Sequence, residues 1–116
     1  MQLYFHDRDR DLLILSADGG LNASTAPEML AELERLIESG TRKIIVDCAN
    51  LDYISSYGIG VLIRLHKKLA KSGGDVKFSS IRSTVVQILH VARIDRLFEI
   101  YPDIDQARLA FRPAGE

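Results

Sequence analysis

The order of apolar runs predicts an α/β fold: a mixed, mostly parallel central β-sheet with an N-terminal antiparallel hairpin and about four α-helices. Three observations predict it. Strand-like and helix-like patterns alternate from end to end of the 116-residue chain, which right-handed crossovers convert into a parallel sheet. Ile44-Ile45-Val46 is a β-branched run without polar alternation, as in a strand buried on both faces. Helix start and stop signals bracket the periodic segments.

Taken in order, Leu3–Phe5 and Leu12–Leu15 flank the polar stretch Asp7-Arg8-Asp9-Arg10 and read as the hairpin. Asp18-Gly19-Gly20 reads as a turn. Thr25-Ala26-Pro27-Glu28 starts a helix: Thr25 as cap, Glu28 three residues on, and Pro27 in the first turn, where a missing N–H costs little. Ala26, Met29, Leu30, Leu33, Leu36 and Ile37 then recur at helical spacing until Ser39-Gly40. After the Ile44–Val46 strand a loop is expected through Asn50 and Asp52. A second helix, about Tyr57 to Ser72, carries Ile59, Val61, Leu62, Ile63, Leu65 and Leu69 around most of its circumference and should be well buried. Gly73-Gly74 stops it, and Val76–Phe78 is a strand. Ser83 or Thr84 is expected to cap a third helix with Val85, Val86, Ile88, Leu89 and Ala92. Leu97–Tyr101 reads as the last strand, and Asp103-Ile104-Asp105-Gln106 as a capping box opening a helix to about Phe111. Residues 112–116 read as a loose tail.

The bulk composition narrows the function classes. Apolar residues are 47% and charged residues 27% of the chain, enough for one globular core. No apolar run reaches the ~20 residues that cross a bilayer. The opening residues lack the basic start and apolar stretch of a signal peptide, so a cytoplasmic location is expected. The net charge of −1, from 15 basic and 16 acidic residues, argues against a nucleic-acid binder. Cys48 is the single cysteine and lies in a strand-like run, which reads as a small buried hydrophobe.

Converging catalytic groups are not evident. His6, His66 and His90 have no metal-ligand spacing. No nucleophile elbow and no Walker-type loop is present. Gly58-Ile59-Gly60 starts like a dinucleotide fingerprint, but Ile63 stands where the third glycine belongs. The expectation is a binding domain without enzymatic activity, metal or cofactor.

The segment that stands out is Tyr53-Ile54-Ser55-Ser56-Tyr57-Gly58-Ile59-Gly60. Two hydroxyls precede a helix whose early turns hold two glycines. Capping explains one serine, at roughly 1 kcal/mol. It does not explain the second serine or the glycines, each of which costs a helix about 1 kcal/mol relative to alanine. The other reading is a regulatory hydroxyl. A phosphate on Ser56 would lie at the positive end of the helix dipole, yet place roughly −2 of charge on an apolar contact surface.

At this segment the chain resembles the STAS family, the domain shared by sulphate transporters and bacterial anti-sigma factor antagonists. The family motif, aromatic–apolar–Asp or Ser–Ser–small–Gly–apolar–Gly, stands here as Tyr53 to Gly60. Gly19-Gly20-Leu21-Asn22 is similar to the family's Gly-x-Leu-Asp turn, and Ile44-Ile45-Val46-Asp47 to its central strand ending in Asp. Gly73-Gly74 and the stretch Ile94 to Tyr101, followed by Ala107, match its later landmarks. The chain departs from the pattern at Ser55 and Asn22, where antagonists often carry Asp, at the bulky Tyr57, and at Arg93 in place of a common glycine.

The resemblance implies a STAS-type single domain over residues 1–111. It also implies an anti-sigma factor antagonist that binds an anti-sigma factor in its unphosphorylated state and so releases a sigma factor. That partner is a serine kinase that switches the complex off by phosphorylating the motif serine, here Ser56, and a PP2C-type phosphatase resets it. The implied state is a monomer or weak dimer with no nucleic-acid or membrane partner. Arg64, Lys67, Lys68 and Lys71 recur at helical spacing, either as a solvated face or as a docking patch for an acidic partner. The expected partner surface therefore comprises Asn22, Ser55, Ser56, Tyr57, Gly58, Ile59, Arg64 and Lys67. Two other classes stay open: a STAS scaffold or regulatory subunit of a stress-signalling or lipid-transport complex, and a nucleotide- or lipid-binding module.

Overall fold

The computed structural model describes residues 2–9, 11–94 and 96–111; the expected tail lies outside them. The elements run β1 (Gln2–Asp9), β2 (Leu12–Leu21), α1 (Ala26–Glu38), β3 (Lys43–Asp47), β4 (Leu51–Ile54), α2 (Ser56–Lys71), β5 (Asp75–Ser79), α3 (Ser83–Val91), β6 (Glu99–Tyr101) and α4 (Ile104–Ala110). The fold is α/β with four helices, and β2 to β6 pair in parallel throughout. The strand order is β1-β2-β3-β5-β6, with β4 on β2. The register of β1 on β2 is antiparallel, Leu3 opposite Ala17, with a shift between Phe5 and Asp7.

Period-two alternation divides the sheet into two faces. Leu13, Leu15, Ala17, Ile44, Val46, Val76 and Phe78 face a large core shared with Met29 and Leu33 of α1, Leu65 and Leu69 of α2, and Val85 and Leu89 of α3. Ile14 and Ile45 face the other way, against Ala107 of α4. Ile44 and Ile45 are both fully buried, so β3 is covered on both faces. Each such side chain stabilises the fold by about 1.5–3 kcal/mol.

The α4 face also holds polar groups. Asp47 accepts hydrogen bonds from the Ser16 hydroxyl at 3.1 Å and the Ser79 hydroxyl at 3.2 Å. Lys77 is 5% exposed. It pairs with Glu99 and with Asp75, and its ammonium stands 4.6 Å from the centre of the Phe111 ring. Burial by itself pulls the Lys77 pKa down, but hydrogen bonding and charge from Glu99 outweigh it, and the net shift is upward.

Several local expectations are corrected. Asp18-Gly19-Gly20 is not a turn but the end of β2, which runs on to Leu21 because Gly19–Leu21 pair with β4. The segment through Asp52 is strand β4, not loop. Thr25 makes no cap bond to the amides of α1. Its hydroxyl donates to the Gly20 carbonyl at 2.7 Å, while the Asn22 side chain accepts from the amides of Ser24 and Thr25. Neither Ser83 nor Thr84 caps α3; the N-cap is Arg82, with no side-chain cap bond. Its guanidinium instead ties the start of α3 to the Ala49 carbonyl and the Asp52 carboxylate, both at 2.9 Å. The last strand begins at Glu99 instead of Leu97. The Asp103 side chain does accept from the Gln106 amide, at 2.8 Å, and opens α4.

Candidate functional site

The entry into α2 is built on the end of β2. The Leu21 carbonyl accepts the Ser55 amide at 2.8 Å. Ser55 is the N-cap: its hydroxyl accepts the Gly58 amide at 3.1 Å, and its carbonyl accepts the Ile59 amide at 2.9 Å. One serine is thereby consumed by the fold. Ser56, the first residue of the helix, is exposed. Its side chain has no hydrogen-bond partner among the described residues, and no acidic residue lies in the first turn of α2. A developing negative charge at Ser56 would meet the positive end of a sixteen-residue helix and no opposing carboxylate there.

The two glycines of the motif play different parts. A Cβ on Gly58 would stand 2.6 Å from the Leu21 carbonyl oxygen, so this glycine permits the helix to press against β2. Gly58 is buried, which removes it from the expected contact surface. A Cβ on Gly60 would meet nothing within 4 Å, and Gly60 is exposed.

Ser56 sits at the rim of a groove of about 620 Å³ between the start of α2 and α3, lined by Tyr53, Ile54, Ile59, Gln87, Ile88, Val91 and Ala92. The apolar residues around it are unusually open to solvent. Tyr53 is 53% exposed, Tyr57 54% and Val91 81%. The groove floor, in contrast, is continuous with the core through the fully buried Ile54. Exposed apolar surface grouped in this way marks a contact site more often than chance.

Of the expected contact residues, Ser56 and Ile59 line the groove; Ser55 precedes them as the helix cap, and the exposed Tyr57 is not part of the groove lining. Asn22 is exposed and follows Leu21, the residue that holds Ser55. Arg64 and Lys67 lie farther along α2, beside a separate concavity. Arg64 is 3.6 Å and Lys68 3.0 Å from the Glu34 carboxylate of α1, so two of the four basic residues are engaged within the domain. The groove wall on α3 and the Arg82 bridge were missed from the sequence. A signal existed: α3 carries more apolar residues than the one stripe it buries, since only Val85 and Leu89 are buried.

Other chemistry is thin. Cys48 is 1% exposed, and burial, reinforced by the Asp47 charge, pushes its thiol pKa up, so it stays protonated and unreactive. His66 packs edge-on to Phe98, with ring centres 6.0 Å apart and Nδ1 3.4 Å from Asp75. Among the described residues, no helix is long and apolar enough to cross a membrane.

The comparisons with known proteins agree with this architecture. Residues 2–107 match the model of the STAS domain. The chain is 27% identical over 108 residues to BtrV of Bordetella bronchiseptica, named as an anti-sigma factor antagonist, with 93% of each chain covered. It is 30% identical over 82 residues to the anti-sigma-B factor antagonist of Staphylococcus aureus, covering 71% of this chain and 68% of that one. Among solved structures, a Thermotoga maritima protein described as an anti-sigma factor antagonist superposes with a TM-score of 0.86 at 25% identity, covering 94% of this chain and 93% of its own. With the family model spanning nearly all the described residues, and the sheet order and α2 entry in place, the chain belongs to the STAS domain family.

Proposed function

We propose that this chain is an anti-sigma factor antagonist whose contact face is the mouth of the groove around Ser56. In the unmodified state Tyr53, Tyr57, Ile59 and Val91 cover apolar surface of an anti-sigma factor. A sigma factor is then released. Phosphorylation of Ser56 by that partner, acting as a serine kinase, places roughly −2 of charge among these apolar groups. The complex then dissociates, because the charge would have to be desolvated on re-docking. A PP2C-type phosphatase restores the free hydroxyl. The domain supplies no catalytic group of its own and works in the cytoplasm.

The observation that carries this reading is the division between the two serines. Ser55 is held as the helix cap, while the Ser56 hydroxyl is exposed at the helix start and on the groove rim. The names of the relatives point to the same partner class. To test it, the protein is incubated with its cognate anti-sigma factor and ATP, the phosphate is mapped, and binding of Ser56→Ala and Ser56→Asp is compared. Phosphate on Ser56, with binding kept by the alanine variant and lost by the aspartate variant, is the expected result. An unlabelled Ser56 together with equal binding by both variants would overturn it.

A further inference from the structure

The helix that begins at Ser56 has a second distinctive end. Its sixteen residues contain Arg64, Lys67, Lys68 and Lys71 and no acidic residue, although the whole chain carries 16 acids against 15 bases. Favourable interaction with the helix dipole accounts for cations in the last turn. It does not account for Lys67 or for the absence of acids along the whole helix.

The four cations are not equivalent. Lys68 is committed to Glu34 at 3.0 Å and Glu38 at 3.4 Å, and the Glu34 hydrogen bond raises its pKa. Arg64 leans on the same Glu34. Lys67 and Lys71 are exposed and make no ion pair among the described residues. The concavity they line, with Glu34, Arg64 and Lys68, has a volume of about 420 Å³ and sets four cations against one carboxylate.

Helical geometry aligns this patch with the serine. At 3.6 residues per turn, Lys67 stands only about 20° around the axis from Ser56 and ~16 Å along it. Gly60 lies between them on the same side, and its open Cβ position leaves the backbone bare. One exposed strip of α2 thus carries a modifiable hydroxyl, a stretch of bare backbone and two unpaired ammonium groups.

We infer that α2 is a two-point docking face. The Ser56 end reports the modification state, and Lys67 with Lys71 receives an acidic patch on the same protein partner ~16 Å away. This deepens the reading proposed above and rests on it. The acidic region draws the partner in, as charge complementarity raises association rates more than final affinity. A nucleic acid is disfavoured as occupant, since backbone binding needs many phosphate contacts and usually a basic excess that this chain lacks.

The test compares wild type, the double variant Lys67→Glu/Lys71→Glu, and Ser56→Asp in association with the anti-sigma factor, by stopped flow between about 50 and about 300 mM salt. The double variant should associate about tenfold more slowly at low salt, lose most of the salt dependence, and keep its dissociation rate within about twofold. Both lysines are exposed, so circular dichroism should be unchanged. If Ser56→Asp abolishes binding while the double variant associates at the wild-type rate, the second docking point is overturned and the switch stands. If the double variant is slowed while Ser56→Asp binds normally, the switch fails and the basic contact stands. A glutamate-rich peptide provides a readout without the anti-sigma factor: amide shifts should concentrate at Gly60, Lys67 and Lys71. Shifts of equal size at Arg93 and Lys43, or tighter binding to anionic phospholipid vesicles than to the peptide, would overturn the assignment to a protein partner.

Discussion

The carbonyl oxygen of Leu21 and the α-carbon of Gly58 meet with no room for a methyl group between them: a Cβ on Gly58 would lie 2.6 Å from that oxygen. The same carbonyl accepts the Ser55 amide. One backbone group at the end of β2 therefore sets both the entry point and the tilt of α2.

Gly58→Ala should cost about 1–3 kcal/mol, because backbone must shift to admit the methyl. Gly60→Ala should leave stability unchanged or raise it by up to ~1 kcal/mol, since its Cβ site is open and alanine is the better helix former. Urea denaturation of the two variants checks the contrast, and equal losses would contradict it.

The two serines should separate in the same way. Ser55→Ala removes the acceptor for the Gly58 amide and should cost ~1 kcal/mol. Ser56→Ala, at an exposed position without a partner, should stay within ~0.5 kcal/mol of wild type. Denaturation midpoints measured side by side decide it.

Arg93 follows the C-terminal turn of α3 with φ of 60°, in the left-handed region that a side chain disfavours. Its amide still closes the helix end by bonding to the His90 carbonyl at 3.0 Å. Arg93→Gly should stabilise the domain by roughly 0.5–1 kcal/mol. A lower thermal midpoint for the glycine variant would contradict this account.

The Lys77–Glu99 pair should shape the pH dependence of stability. The hydrogen bonds from Lys77 and then Tyr101 hold the Glu99 pKa below its ordinary 4.5. A carboxyl depressed by folding stabilises above its unfolded value, and that contribution is lost as pH falls through the folded value. The raised Lys77 pKa acts oppositely: its contribution is complete below the ordinary 10.5 and fades as pH rises through the higher folded value. Glu99→Gln should therefore be less stable than wild type at neutral pH and lose less on acidification. Parallel acid limbs for the two proteins would refute the link.

Much of this was legible from the sequence, because strong local signals agreed with the tertiary outcome. The run Ile44-Ile45-Val46 could only be a covered strand, and the apolar spacing of α1 and α2 matched the faces they bury. β4 escaped because Asp52 and Tyr53 are exposed and, among the described residues, the strand pairs only with Gly19–Leu21, whose glycines look like a turn until a partner straightens them. The caps of α1 and α3 were misread because a hydroxyl in the right place does not fix which acceptor or donor it finds. Thr25 turned to the Gly20 carbonyl, and the Asn22 side chain took the free amides. At the candidate site, the motif singled out the serine pair, and the structure divides it into a capping Ser55 and an exposed Ser56. The groove wall on α3 and the division of the basic stripe between Glu34 and solvent depended on how separate elements pack, which local spacing does not encode.

The bond from the Gly58 amide to the Ser55 hydroxyl also bears on the lifetime of the molecule. With the helix start fastened by the neighbouring residue, a change of side chain at the exposed Ser56 leaves the population of opened chains offered to proteases nearly constant.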